Sequence, residues 1–198
     1  MSELSKNLMR MVAGTVFAGV AHVAIAVDLS ATSNELAKLY KEDQADRDSS
    51  SGQVLDWEAI GIRDERRELR VKQLLAAGPL GDGTAYYHAA MVLQHASTPD
   101  DYLLAHDLCV IAISKGENKA KWLAAASLDR FLLAIGRPQR FGTQYQSKRA
   151  FLPPQLATVD PNVPDMLRSE LDVPTLEEAR KTEAQMISSF NEARKARK

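Results

Sequence analysis

Four interruptions, Gly78-Pro79, Thr98-Pro99, Lys115-Gly116 and Gly136-Arg137-Pro138, constrain the fold of this chain more than any other feature. Glycine ends helices in conformations other residues avoid, and proline cannot continue one. The breaks therefore cut residues 58 to 138 into segments of helical length, each with small or apolar residues at helical spacing. A helix from about Glu58 or Asp64 carries Arg66, Leu69, Leu74 and Leu75. Residues 83 to 96 carry Ala85, Ala89, Val92, Leu93 and Ala96. Thr98 then supplies a cap, Pro99 a first-turn proline, and Asp100 and Asp101 acids at the positive end of the next helix dipole. A further helix starts near Asn118 and passes Trp122, Ala125, Ala126, Leu128 and Leu132. The expected class is mainly α, built from helical hairpins.

Two of these helices align with each other at an offset of 35 residues. YHAAMVLQH from Tyr87 lies over WLAAASLDR from Trp122, sharing an aromatic residue, two alanines and a leucine. Small residues on repeated faces let helix pairs stack closely, and a period of about 34 is that of a tetratricopeptide-type hairpin. Tetratricopeptide-like packing is the expectation. Chance similarity of two alanine-rich helices competes with it, since one matching pair falls short of the roughly three repeats a stack needs.

On the N-terminal side, Thr32-Ser33-Asn34-Glu35 has capping-box spacing and predicts a helix over 33–47. Its inward stripe, Leu36, Leu39, Tyr40, Asp43, Gln44 and Arg47, turns polar without leaving its face. Beyond Gly142, FGTQYQ and AFLPPQL have β character and predict a small hairpin or an irregular arm over the core. Five prolines, at 153, 154, 161, 164 and 174, punctuate a stretch expected to be mostly extended. From Thr175 a polar helix follows, with a thin stripe of Leu176, Ala179 and Met186 and a solvated basic end.

The first 26 residues have the layout of a secretory leader: Lys6 and Arg10, an uncharged apolar run, then Ala24-Ile25-Ala26. Cleavage after Ala26 and export to the periplasm or medium are expected; the alternative is an anchor, although the run is shorter than the ~20 residues a spanning helix needs. The organisation expected is a leader over 1–26, a helical domain with the FGTQ arm over 27–174, and a polar helix over 175–198. A chain with 25 basic and 26 acidic residues has a net charge of −1, which disfavours nucleic acid and, after cleavage, a membrane surface. Cys109 is the only cysteine, so no internal disulfide forms, and its place in DLCVIAI suits a buried thiol.

DQADR at 43–47, QHA at 94–96, DR at 129–130 and GRPQRFGTQ at 136–144 occur in an order that resembles an uncharacterised bacterial domain family of unknown function. That family has an Asp-Gln-x-x-Arg helix end, a Gln-His-Ala helix, an Asp-Arg helix and a Gly-x-x-Gln-x-Tyr-Gly-Thr-Gln segment. The resemblance covers about residues 33 to 180, with Phe141 in place of the usual tyrosine. It carries no activity with it.

The internal alignment places Gln94 and His95 at the positions of Asp129 and Arg130, which gathers a candidate cluster of Asp43, Gln44, Arg47, His95, Asp129, Arg130, Gln139, Thr143 and Gln144. Neighbours on a helix diverge by about 100°, so Asp129 and Arg130 face different partners, and Asp129, on the apolar stripe, is the more buried. Three readings stay open. In the first, the cluster pins the arm to the core, because a buried carboxylate must be paired or hydrogen-bonded. In the second, a binding or accessory module, Gln44, Arg47, Arg130, Gln139, Thr143 and Gln144 contact a peptide, protein or small molecule. In the third, a hydrolase-like enzyme, His95 acts as acid or base with Asp43 or Asp129 orienting it. No nucleophile elbow, HExxH, P-loop or dinucleotide fingerprint occurs. No cofactor or metal is expected. His88 and His95 stand about 10 Å apart along one helix, and His106 is expected on a helix surface.

Overall fold

A computed structural model describes residues 28–48, 54–147, 149 and 151–196; the leader predicted over 1–26 lies outside the described residues. Among the described residues the order is α1 (Leu29–Asp46), α2 (Trp57–Ala77), α3 (Gly83–Leu93), α4 (Pro99–Ser114), α5 (Ala120–Ala134), β1 (Tyr145–Gln146), β2 (Gln155–Leu156), α6 (Asp165–Glu170) and α7 (Leu176–Ala196). The fold is mainly helical, as the interruptions in the sequence require.

Helix starts follow the strongest available acceptor. The α1 cap is Asp28, whose carboxylate accepts from the N–H groups of Ser30 and Ala31, so the helix begins ahead of the predicted Ser33. A carboxylate at the positive helix end outcompetes a hydroxyl four residues later. Thr32 is consequently buried inside α1, and Glu35 reaches across to Arg70. A true capping box occurs at α7, where the Thr175 N–H donates to Glu178 and the Glu178 N–H donates to the Thr175 hydroxyl.

The core lies where α3, α4 and α5 follow one another through short turns. α4 packs against both neighbours, while α1 and α2 close the α3 side. Leu36, Leu80, Leu93, Leu108 and Leu123 are buried to 2 % exposure or less, each worth about 1.5–3 kcal/mol relative to an exposed side chain. Between them lie Ala85, Ala89, Ala90, Ala105, Ala112, Ala120 and Ala124, which add little area but let backbones approach. Gly83 marks one such close approach of α3 to α4: a Cβ there would stand 2.9 Å from the Ala112 carbonyl oxygen. Cys109 is fully buried in this layer, and burial pushes its thiol up to about 12.

Three expectations need correction here. The inward face of α2 is Ile60, Arg67, Val71 and Leu74, whereas Arg66 is exposed and Leu69 is 59 % exposed. Leu69 lies two residues, about 200°, from both Arg67 and Val71. Trp122 is 42 % exposed, because Leu123, Ala126 and Ala120 take the buried face of α5. His106 is half-buried rather than on the surface, and its Nδ1 donates to the Ala124 carbonyl, tying α4 to α5.

The arm after α5 forms the expected hairpin, with β1 and β2 antiparallel, Tyr145 opposite Leu156 and Gln146 opposite Gln155. Two-residue strands are too short to persist alone. α7 supports them: the Tyr145 hydroxyl donates to the Ala179 carbonyl, and the Leu156 N–H donates to Glu183. The stretch read as extended contains α6, whose Leu167, with Leu171 and Val173 just after it, packs with Phe141 and Ala125 in a second small apolar cluster. No helix of the described residues is long and apolar enough to cross a membrane.

Candidate functional site

The predicted cluster divides into two networks with Arg130 between them. The first is built on Asp129, fully buried on α5. Its Oδ1 accepts from the N–H groups of Arg140 at 2.7 Å and Phe141 at 3.0 Å, and its Oδ2 from the Thr143 N–H at 3.1 Å and the Thr143 hydroxyl at 2.8 Å. Gly142, at φ 81°, turns the chain so that the N–H groups on either side converge on one carboxylate. Such a φ is costly for any residue with a Cβ. Gln139 bridges the base of the arm: its Nε2 donates to the Gln144 and Ala157 carbonyls, and its Oε1 accepts from the Gln144 N–H. Arg168, 1 % exposed, completes the grip by donating to the carbonyls of Arg140, Phe141 and Val163 and to Asp165.

The second network joins α1 to α2. Arg47 donates to Asp43 at 2.9 Å and to Asp64; Arg67 donates to Asp64 at 2.6 Å and pairs with Asp46 at 2.7 Å; Arg63 pairs with Asp46 at 2.8 Å. Gln44 donates to the remaining Asp43 oxygen at 2.8 Å. Asp46 is held below the usual carboxylate range by Arg63 and Arg67. Asp43 goes the other way: burial raises it to about 6, against the opposing pull of Arg47 and Gln44.

His95 faces this network from the turn after α3, which ends at Leu93 rather than at the predicted Ala96. Its Nε2 stands 3.7 Å from Asp43, beyond hydrogen-bond reach. Burial, with the Arg47 and Arg130 charges, lowers the imidazole to about 3, so the contact is not an ion pair at neutral pH. The two groups have opposite linkage. Asp43, raised from 3.8 to about 6, contributes stability that is present below about 4 and lost as pH rises through 6. His95, lowered from 6.5 to about 3, contributes stability that is present above 6.5 and lost as pH falls toward 3. Between pH 4 and 6 the two slopes, each up to about 1.4 kcal/mol per pH unit, oppose each other. Asp43→Asn should therefore make stability fall as pH drops through this window, and His95→Gln should make it rise. Urea denaturation at several pH values reads both, and two variants that kept the wild-type pH profile would refute the assignment.

Arg130 belongs to neither network. Its Nε is sealed from water without a partner, and the guanidinium makes no hydrogen bond or ion pair among the described residues. Burial lowers its pKa, Tyr102 acts against that effect, and the Arg47 charge adds to it. Arg130 lines a cavity of about 270 Å³ between α4, the end of α5 and the arm, together with Tyr102, Leu133, Ala134, Gln144, Tyr145 and Gln146. Gln144 is shared between this cavity and the first network. Its Nε2 donates to the Thr143 hydroxyl at 2.9 Å and, more weakly, to the Ala126 carbonyl at 3.4 Å.

Neither a family model, nor a curated protein, nor a solved structure gives a significant match to this chain.

Of the predicted residues, Asp43, Gln44, Arg47 and His95 therefore meet on one side, and Asp129, Gln139, Thr143 and Gln144 on the other. Asp129 is committed to the arm and makes no contact with His95 that would orient it. Sequence reasoning missed Asp46, Asp64, Arg67 and Arg168. Asp64 and Arg67 were detectable as opposite charges three apart on α2, whereas Asp46 pairs only across to α2 and left no local signal. Arg168 was hidden by the prolines on either side of α6.

Proposed function

We propose that this protein is a binding module whose ligand site is the cavity between α4, α5 and the arm. The observation that carries the reading is Arg130, a partly buried cation without an internal counter-charge, lining a space with two tyrosines and two glutamines. No contact within the fold compensates the desolvation of its sealed Nε–H, which costs on the order of 1–3 kcal/mol. A ligand that supplies the missing partner does.

The hydrolase-like reading of His95 has less support. An imidazole near 3 is a weak base at neutral pH, and general acid–base catalysis favours a pKa close to the working pH. Asp43 is engaged by Arg47 and Gln44, and Asp129 by the arm. The exported setting and the tetratricopeptide-like packing, both expected from the sequence, accord with a module that receives a partner.

Selection of a displayed peptide library on the immobilised full chain tests the proposal. Enriched peptides should shift the backbone NMR signals of Gln144, Tyr145 and Gln146. Shifts confined to the surroundings of Asp43 and His95, or failure to enrich any peptide, would reject the cavity as the site.

A further inference from the structure

We infer that the group this cavity takes is a carboxylate, and that its source is the C-terminal end of a peptide chain. The inference rests on the binding-module reading and adds the chemistry of the ligand. The acids of the two networks are already committed: Asp43 and Asp64 to Arg47, and Asp129 to the arm. The charge facing Arg130 from the α1 side is the positive Arg47, and His95 is neutral. Nothing within the described residues completes the guanidinium, whose planar fork matches a carboxylate.

The polar groups around it discriminate between anions. Because a backbone carbonyl only accepts, the Gln144 nitrogen is the atom that faces Ala126, and the side-chain oxygen is left over as an acceptor. A phosphate offers the Gln144 acceptor at most one P–OH donor and brings more negative charge than the single Arg130 matches. A peptide end brings both halves of the match, a carboxylate for Arg130 and the N–H of its last residue for Gln144. Leu133 and Ala134 offer an apolar wall for the last side chain, and the Tyr102 phenol has no hydrogen-bond partner among the described residues. Size agrees: about 270 Å³ is below the roughly 300–1,000 Å³ of sites that enclose whole drug-sized ligands. It fits a chain end.

The test titrates the ¹⁵N-labelled full chain with N-acetyl-Ala-Ala-Leu as the free acid, the same peptide amidated, an amidated N-acetyl-Ala-Glu-Leu, and inorganic phosphate. The Arg130 Nε–H and the Gln144 side-chain amide are observed by NMR. The free acid should shift both signals saturably, with the amide weaker by roughly ten- to a hundredfold, as expected for losing one charge-assisted pair. Phosphate should produce no saturable shift. Equal binding of free acid and amide would overturn the carboxylate while leaving the cavity as a peptide site. Equal binding of the amidated glutamyl peptide and the free acid would overturn the chain end and assign the carboxylate to an acidic side chain. If no peptide shifts either signal, and library selection also yields none for the cavity, the binding-module reading fails as well. Arg130→Met supplies a second readout. Without the unpartnered cation it should unfold a few degrees higher than the wild type and no longer distinguish acid from amide. Arg130→Lys should retain part of the preference. A lower midpoint in Arg130→Met with the acid preference intact would overturn the assignment.

Discussion

Asp129→Asn is expected to cost roughly 3–5 kcal/mol, because several hydrogen bonds to a buried charge, each worth about 1.5–3 kcal/mol, are weakened or lost together. The change preserves side-chain volume, so no cavity contributes. What fails is acceptor capacity: four donors from Arg140, Phe141 and Thr143 converge on two carboxylate oxygens, and an asparagine presents one oxygen and an amide that is itself a donor. At least one buried N–H then faces another N–H. For a chain of this size such a loss lowers the thermal midpoint on the order of 10 °C. The effect should begin locally, since these bonds are what ties the FGT turn of the arm to α5. Trypsin is therefore expected to cut after Arg140 in the variant under conditions where α1 to α5 remain folded, and to spare that bond in the wild type. A loss under about 1 kcal/mol with Arg140 still protected would show that the arm is anchored elsewhere.

This arm is also where the sequence was most informative and least complete. Gln139, Phe141, Gly142, Thr143 and Gln144 stood out because neither capping nor core patterning requires them; four of them have a contact or conformation in the lock, while the Phe141 ring is a core residue of the small apolar cluster. Asp129 could be assigned to the interior because it shares the helical stripe of Ala125, Ala126 and Leu132. Arg168 could not. Its partners are the backbone carbonyls of Arg140, Phe141 and Val163, and a carbonyl leaves no trace in residue identity. For the same reason the division of the candidate cluster was invisible. Periodicity gives the face on which Asp43, His95 and Asp129 lie, but not which faces meet. The α1 start was missed for a simpler cause: Thr32 and Glu35 have the spacing of a box, and nothing local tells that Asp28 already opens the helix by accepting from Ser30 and Ala31. Hydrophobic burial and punctuation were legible; the choice among competing hydrogen-bond partners was settled by tertiary contacts.

Arg168→Met should be about as damaging as Asp129→Asn, and the two effects should not add. Arg168 Nη2 donates to the Arg140 carbonyl while the Phe141 N–H of the same peptide group donates to Asp129. One peptide unit is thus held by a cation at its oxygen and an anion at its nitrogen, and each charge polarises the bond that the other makes. A second hold comes from Arg168 Nε on the Phe141 carbonyl at 3.1 Å, and Asp165, which accepts from both Arg168 and the Leu176 N–H, passes the arrangement on to α7. Methionine keeps much of the stem's packing and leaves three buried carbonyls without their donor, so a loss of roughly 3–5 kcal/mol is expected. Once either grip is released the arm is free, and releasing the other costs less; the double variant should be more stable than the sum of single losses predicts by about 1–3 kcal/mol. Urea denaturation of the four proteins measures that coupling, and strict additivity would refute a shared clamp. The consequence for binding follows from geometry. Gln144 and Tyr145 reach the Arg130 cavity only while the arm is clamped, so either single variant should lose peptide affinity although Arg130 is untouched.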